Sequence, residues 1–170
     1  MKEIIFVPDP ILRQKSKSLE KVTKEDIDLS KEMIKIMKNA PGVGLAANQI
    51  GILKKIITVH IQDQDKGINS VYSLFNPEIV EFSKKKIIME EGCLSLPRQF
   101  ANIERSAFIT VRYLNENNKI IQEKKEGIES RILQHEIDHL SGKLFVDYLS
   151  SLKKNILIKK VKKLKKMGEI

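Results

Sequence analysis

The chain has 170 residues, a net charge of +9 and a single cysteine. That length suits one ordinary domain burying about two-thirds of its surface on folding, and one cysteine excludes an intrachain disulfide, as expected in a reducing compartment. No apolar run approaches the ~20 residues of a membrane span, and residues 1–6 hold no signal-like apolar stretch before Pro8-Asp9-Pro10 breaks the run, so a soluble cytoplasmic protein without membrane contact is expected.

Tryptophan is absent and aromatics are few, so the core must be built from Ile, Leu and Val. Residues 3–7 read as a short strand before the Pro-Asp-Pro turn. Thr23-Lys24-Glu25-Asp26 has the form of a helix start, with a hydroxyl to cap and acids in the first turn. Leu29, Met33, Ile36, Met37 and Ala40 then share one face, which predicts about four turns of helix with that stripe in the core. Asn39-Ala40-Pro41-Gly42 ends it.

Gly42-Val43-Gly44-Leu45-Ala46-Ala47-Asn48-Gln49 is too glycine-rich and too apolar for a solvated loop. The two glycines remove side chains where backbone must pass close to something else. Taken alone they equally suit a tight structural turn. Short β-rich runs follow at 56–61, 71–75, 79–82 and 87–89, with 62–70 the most loop-like stretch. Ile103, Phe108 to Tyr113 and Lys119 to Gln122 continue the strands, with Asn115-Glu116-Asn117-Asn118 as a hairpin turn.

Gly127 opens the next helix, in which Ile128, Ile132, His135 and His139 follow three-to-four spacing, and Gly142 stands where a helix-ending glycine belongs. Within it lies Gln134-His135-Glu136-Ile137-Asp138-His139. Two histidines four residues apart share one helix face and can reach one divalent ion. Glu136 projects beside them, the H-E-x-x-H arrangement of metal-dependent amide hydrolysis.

A metal site needs a third ligand. Where one class of zinc peptidases has its third histidine this chain has Phe145, and the only acids beyond the helix are Asp147 and Glu169. His60 lies in an alternating apolar run and reads as a satisfied strand residue. Cys93 remains, in Glu90-Glu91-Gly92-Cys93-Leu94-Ser95-Leu96-Pro97. Lone cysteines are often small buried hydrophobes, but this one stands beside a glycine in a chain with two histidines lacking a partner. Iron(II), zinc, nickel and cobalt all suit two imidazoles and a thiolate, with iron(II) expected as the native ion.

The basic charge is concentrated at the end. Residues 151–170 hold eight lysines against one acid, Glu169, leaving the rest with 23 basic and 21 acidic residues. Leu157, Val161 and Leu164 keep an apolar stripe there, so residues 151–170 read as a lysine-rich helix lying on a catalytic domain of residues 1–150. A solvated lysine face explains the charge without a partner. A contact of Lys153–Lys166 with ribosomal RNA is the alternative. The element order gives an α+β fold: antiparallel strands packed around a central metal-binding helix, with an N-terminal helix and a basic C-terminal one.

Residues 42–49, Glu91 to Ser95 and Gln134 to His139 together resemble the G-x-G-L-A-A-x-Q, E-G-C-L-S and Q-H-E-x-D-H motifs of bacterial peptide deformylases, in that order. Pro8 to Arg13 and Gly142 to Ser150 extend the likeness over nearly the whole chain. The resemblance implies the same fold and a hydrolase that removes formyl from the initiator methionine of nascent polypeptides. It implies metal ligation by Cys93, His135 and His139 and proton transfer by Glu136. Gln49 and the Leu94 N–H would meet the oxyanion. Val43, Gly44 and Gly92 would pair with the peptide backbone. Met89, Ile128, Ile132 and Val43 would line the methionine pocket, and Glu91, Arg105 and Asp138 would order the motifs. Some relatives have an arginine where Phe100 stands, so a charge contact from there is missing. A monomer is expected. The competing readings are a general H-E-x-x-H metallopeptidase and a structural metal site on an RNA-binding module.

Overall fold

Helix α1 (Lys24–Asn39) begins where Thr23 predicts. In the computed structural model, which describes residues 2–170, the Thr23 hydroxyl accepts from Asp26 N–H at 3.3 Å and the Asp26 carboxylate accepts from Thr23 N–H at 3.0 Å. Two donors that a helix end leaves open are thereby satisfied. Met33, Ile36 and Met37 are buried, and Leu29 and Ala40 partly so.

Five antiparallel strands form the main sheet: β1 (Gly44–Ala46), β2 (Ile56–Asp63), β3 (Ile68–Phe82), β6 (Phe108–Leu114) and β7 (Ile120–Glu126), in the order β1-β2-β3-β6-β7. A separate hairpin pairs β4 (Lys86–Cys93) with β5 (Leu96–Ser106). Side chains alternate across a strand, and β2 is buried on both faces. Ile57, Val59 and Ile61 pack with Leu74, Val111, Ile132 and Leu133 under helix α2 (Gly127–Leu140). Ile56 packs with Phe75, Met33 and Met37 under α1. The two helices therefore cover opposite faces of the sheet. Leu133 has no exposed surface, and truncating such a side chain to alanine costs about 2–5 kcal/mol.

A third cluster joins Val7, Leu12, Leu96, Ile103, Phe145 and Val161. It seats the β4–β5 hairpin and helix α3 (Ser151–Lys166) against the body. Val161 is buried and Leu157 and Leu164 are partly so, which is the apolar stripe expected of this helix; seven of its eight lysines are exposed. The eighth, Lys154, pairs with Asp147 at 2.7 Å.

The strand boundaries need correction in four places. Residues 3–7 form no strand, because Ile5 N–H goes to Gln49 and Val7 N–H to Ser95, one bond to each of two elements rather than a ladder. The loop expected at 62–70 shrinks to a tight turn, since β2 runs to Asp63 and β3 starts at Ile68. The two runs 71–75 and 79–82 are one strand, carried through Asn76 (φ 49°) and a register shift between Phe75 and Glu78. Ile103, read as an isolated strand residue, belongs to the eleven residues of β5.

Candidate active site

Helix α2 ends at Leu140, and Gly142 follows in the left-handed region (φ 73°), where a Cβ would stand 2.3 Å from the Arg13 carbonyl oxygen. Just before that end, His135 and His139 sit one turn apart with ring centroids 5.0 Å apart. Cys93 arrives from the tip of β4, beyond a register shift between Gly92 and Cys93. Its Sγ lies 3.4 Å from His139 Nε2. One donor atom from each of the three residues falls within 4.8 Å of the others. Donors ~2.0–2.3 Å from one tetrahedral ion stand roughly 3.5 Å apart, so this set fits a single metal.

The surroundings fix these donors. His135 Nδ1 lies 2.9 Å from Glu91 Oε1. A neutral imidazole donating there leaves Nε2 with its lone pair toward the cluster, and the anionic acceptor makes that nitrogen a stronger ligand. Burial pulls the His139 imidazole well below the usual histidine range, which favours the neutral form that an ion needs. Phe145, at the position where a third histidine was sought, stacks on His135 at 6.2 Å.

Glu91 is buried and gathers two guanidiniums beside the His135 imidazole. Arg105 donates Nε at 2.6 Å and Nη2 at 3.0 Å to its two oxygens, and Arg131 donates Nη1 at 2.6 Å. Burial disfavours its charge, yet the hydrogen bonds from His135 and Arg105 win and hold the carboxyl at about 2. Arg105 also reaches Asp138 at 2.9 Å, which accepts from Tyr148 at 2.7 Å. Arg131 donates to the carbonyls of Ile103 and Ile87, tying both hairpin strands to α2. Thus Glu91, Arg105 and Asp138 are joined in one hydrogen-bonded network.

Glu136 faces the cleft from the same helix. Burial pushes its carboxyl up to about 7, against the pull of His135 and Arg105, and its Oε2 has no hydrogen-bond partner among the described residues. A carboxylate near its working pH is suited to both taking and giving a proton. Gln49 is held by its own turn: its Oε1 accepts from Ala46 N–H at 2.9 Å. Its Nε2 donates to Ser95 Oγ at 3.0 Å and points at Cys93 Sγ at 3.6 Å.

These groups line a cleft of about 450 Å³. Val43 and Gly44 form one wall, Gly92, Leu94 and Phe100 the other, and Ile128 and Ile132 contribute from α2. Strand β1 is the sheet edge beside it. Met89 is a correction: it does not line the cleft and is 41% exposed, because it lies further back along β4 from Cys93, beyond Glu91. His60 is a strand residue bonded to Asn69 at 2.8 Å, as its alternating run predicts. Sequence reasoning overlooked Arg131, Ser95 and Tyr148. Arg131 had a signal: it stands one turn before His135, on the face turned inward.

A buried carboxyl group beside a cysteine sulfur and two imidazoles, at the base of a peptide-sized cleft, makes this the site of a metallohydrolase. The family model of polypeptide deformylase matches residues 1–155. A peptide deformylase of Mesorhizobium japonicum is 42% identical over 166 residues, 98% of this chain and 94% of that protein. The crystal structure of peptide deformylase from Ehrlichia chaffeensis matches with a TM-score of 0.94 at 38% identity, covering 100% of this chain and 99% of that one. The same organism's enzyme in complex with actinonin matches with a TM-score of 0.91 at 39% identity over 96% of each chain. The chain belongs to the polypeptide deformylase family. It is a hydrolase of N-formylmethionyl peptides, and the general peptidase reading is not favoured. Deformylases are metalloenzymes, and Cys93, His135 and His139 form the cluster able to hold an ion. No helix is long and apolar enough to cross a membrane.

Proposed function

We propose that Cys93, His135 and His139 hold one divalent ion, natively iron(II), with zinc, nickel or cobalt able to take the same donors. A divalent ion bound there supplies an electrophile for the formyl oxygen and lowers the pKa of water. The chain's own groups do the rest. Glu136 accepts a proton from the attacking water and passes it to the methionine nitrogen as the C–N bond breaks, so that formate and a free amino terminus leave. The Gln49 amide N–H and the Leu94 backbone N–H face the oxygen that becomes negative. A formyl group is the smallest acyl group, and a close approach of Leu94 and Gln49, which both line the cleft, would favour it over a larger one.

The peptide would pair with the free edge of β1 at Val43 and Gly44 and with Gly92 opposite, an added strand whose backbone bonds tolerate varied sequence. Its methionine side chain would rest on Val43, Ile128 and Ile132. Glu91, Arg105 and Asp138 hold the ligands in place and take no part in proton transfer. Residues 1–150 act as the catalytic domain, with 151–170 as its docked helix. That helix would meet the ribosome through Lys153–Lys166, since the nascent chain emerges from a surface of RNA phosphate. The protein would work in the cytoplasm as a monomer.

The observation that carries this reading is the convergence of three donor atoms within 4.8 Å beside a buried carboxylate. Anaerobic purification, elemental analysis and a comparison of formyl-Met-Ala-Ser with acetyl-Met-Ala-Ser test it. Release of formate with little release of acetate is expected. Equal turnover of both would make the enzyme a general amidohydrolase.

A further inference from the structure

Two guanidiniums line the substrate cleft, and their situations differ. Arg131 is buried and committed to Glu91 and two carbonyls. Arg98, near the start of β5, has its side chain 61% exposed. Its backbone lies in the left-handed region (φ 61°), uncommon for a side chain of this size. Of the other charges in the wall, Glu91, His135 and Glu136 are buried, and Glu90 is exposed. Arg98 is therefore the cation a passing peptide would meet.

Its partner comes from the far end of the chain. Arg98 Nη1 donates to Glu169 Oε2 at 2.5 Å, and the Glu169 side chain is 38% exposed. Glu169 is fixed in turn: Gly168 turns the chain after α3 (φ 70°), and Glu169 N–H donates to the Leu164 carbonyl at 3.0 Å. Ile170 packs into the third apolar cluster. The tail thus holds one carboxylate against the exposed arginine of the cleft mouth.

We propose that Arg98 selects for an acidic side chain carried by the peptide downstream of its first residue, and that Glu169 occupies Arg98 in cis until such a peptide displaces it. The proposal rests on the reading of the cleft as the peptide's path. An ion pair this exposed contributes little to stability, so one carboxylate exchanges for another readily. The planar guanidinium can take the incoming carboxylate in a two-point contact. A peptide with lysine at that place gains nothing from the exchange, and Glu169 stays where it is.

The test is the ratio of kcat/KM for acidic over neutral substrates. The peptides are formyl-Met-Ala-Glu-Ala against formyl-Met-Ala-Gln-Ala, and formyl-Met-Glu-Ala-Ala against formyl-Met-Gln-Ala-Ala. All carry a C-terminal amide, which removes the terminal carboxylate as a rival ligand. At one of the two positions the wild-type ratio should exceed one. It should rise ~threefold in Glu169→Gln and fall below one in Arg98→Gln, where Glu169 is left to repel the acid, in keeping with the strength of exposed ion pairs. High salt should bring all three ratios together. A ratio taken on one preparation is not mimicked by partial unfolding. Equal ratios in the three proteins at both positions overturn the proposal. Failure of every preparation to hydrolyse the neutral peptides would instead overturn the reading of the cleft itself.

Discussion

Gly44 lies so close to Glu136 that a Cβ added to the glycine would stand 2.3 Å from the carboxylate Oε1. The backbone of β1 thereby sets where the proton-transferring group can sit, and the glycine is needed for space rather than for its φ. Gly44→Ala should fold, bind metal and lose about 100-fold in kcat, the scale of a misplacement near 1 Å. Steady-state kinetics beside a metal assay would check it; wild-type kcat would show that Glu136 has room to spare.

Glu91 gathers Arg105, Arg131 and His135 in a buried network. Removing its charge leaves two guanidiniums buried without a counter-ion. Glu91→Gln should lose about 3–5 kcal/mol in urea unfolding, and metal affinity should fall 10- to 100-fold as His135 loses its anionic acceptor. An unchanged urea midpoint would mean the arginines find other partners.

Asp147 gives a pH signature away from the metal cluster. Burial opposes its charge, but hydrogen bonds from Arg13, Lys154 and the Leu144 N–H outweigh that and hold its carboxyl at about 2, below the usual 3.8. A carboxyl depressed on folding stabilises the protein above its unfolded pKa, and that contribution disappears as pH falls through the folded one. The stability difference between wild type and Asp147→Asn should be full above about pH 4 and shrink toward pH 2. A difference constant across that window, read from urea midpoints, would contradict this.

The lysine face predicts salt-dependent association. Changing Lys162, Lys163, Lys165 and Lys166 to Gln removes exposed charges on α3. Hydrolysis of a short formyl peptide should be nearly unchanged, while ribosome co-sedimentation should weaken with a shallower slope of log affinity against log salt. Equal binding of both proteins at each salt would return these lysines to a solvated helix face.

What the sequence disclosed depended on whether a signal was local. The i, i+4 histidines and the Thr23–Asp26 cap are written within a turn or two, and α1 and α2 follow them. Gly42 and Gly44 signalled close approach, and both are crowded, by Leu94 and Glu136. The β4–β5 hairpin was obscure because Glu90, Glu91 and Gly92 break the apolar alternation and Pro97 sits inside the pairing run. Pro77 likewise split β3 on paper, where a left-handed Asn76 carries the strand through. Gln49 could be placed beside Cys93 only by the motif resemblance, since 44 residues separate them and no periodicity spans that gap. Arg131 was not singled out, although its spacing from His135 turns it inward.

The central claim is that Cys93, His135 and His139 hold the metal while Glu136 moves the proton. Metal content and turnover of Glu136→Ala, measured together on anaerobically prepared protein, test it most directly. The account predicts a folded variant with metal stoichiometry like that of the wild type and deformylation slower by at least ~100-fold, the low end of general acid–base catalysis. A metal-loaded variant that deformylates at near the wild-type rate would contradict it.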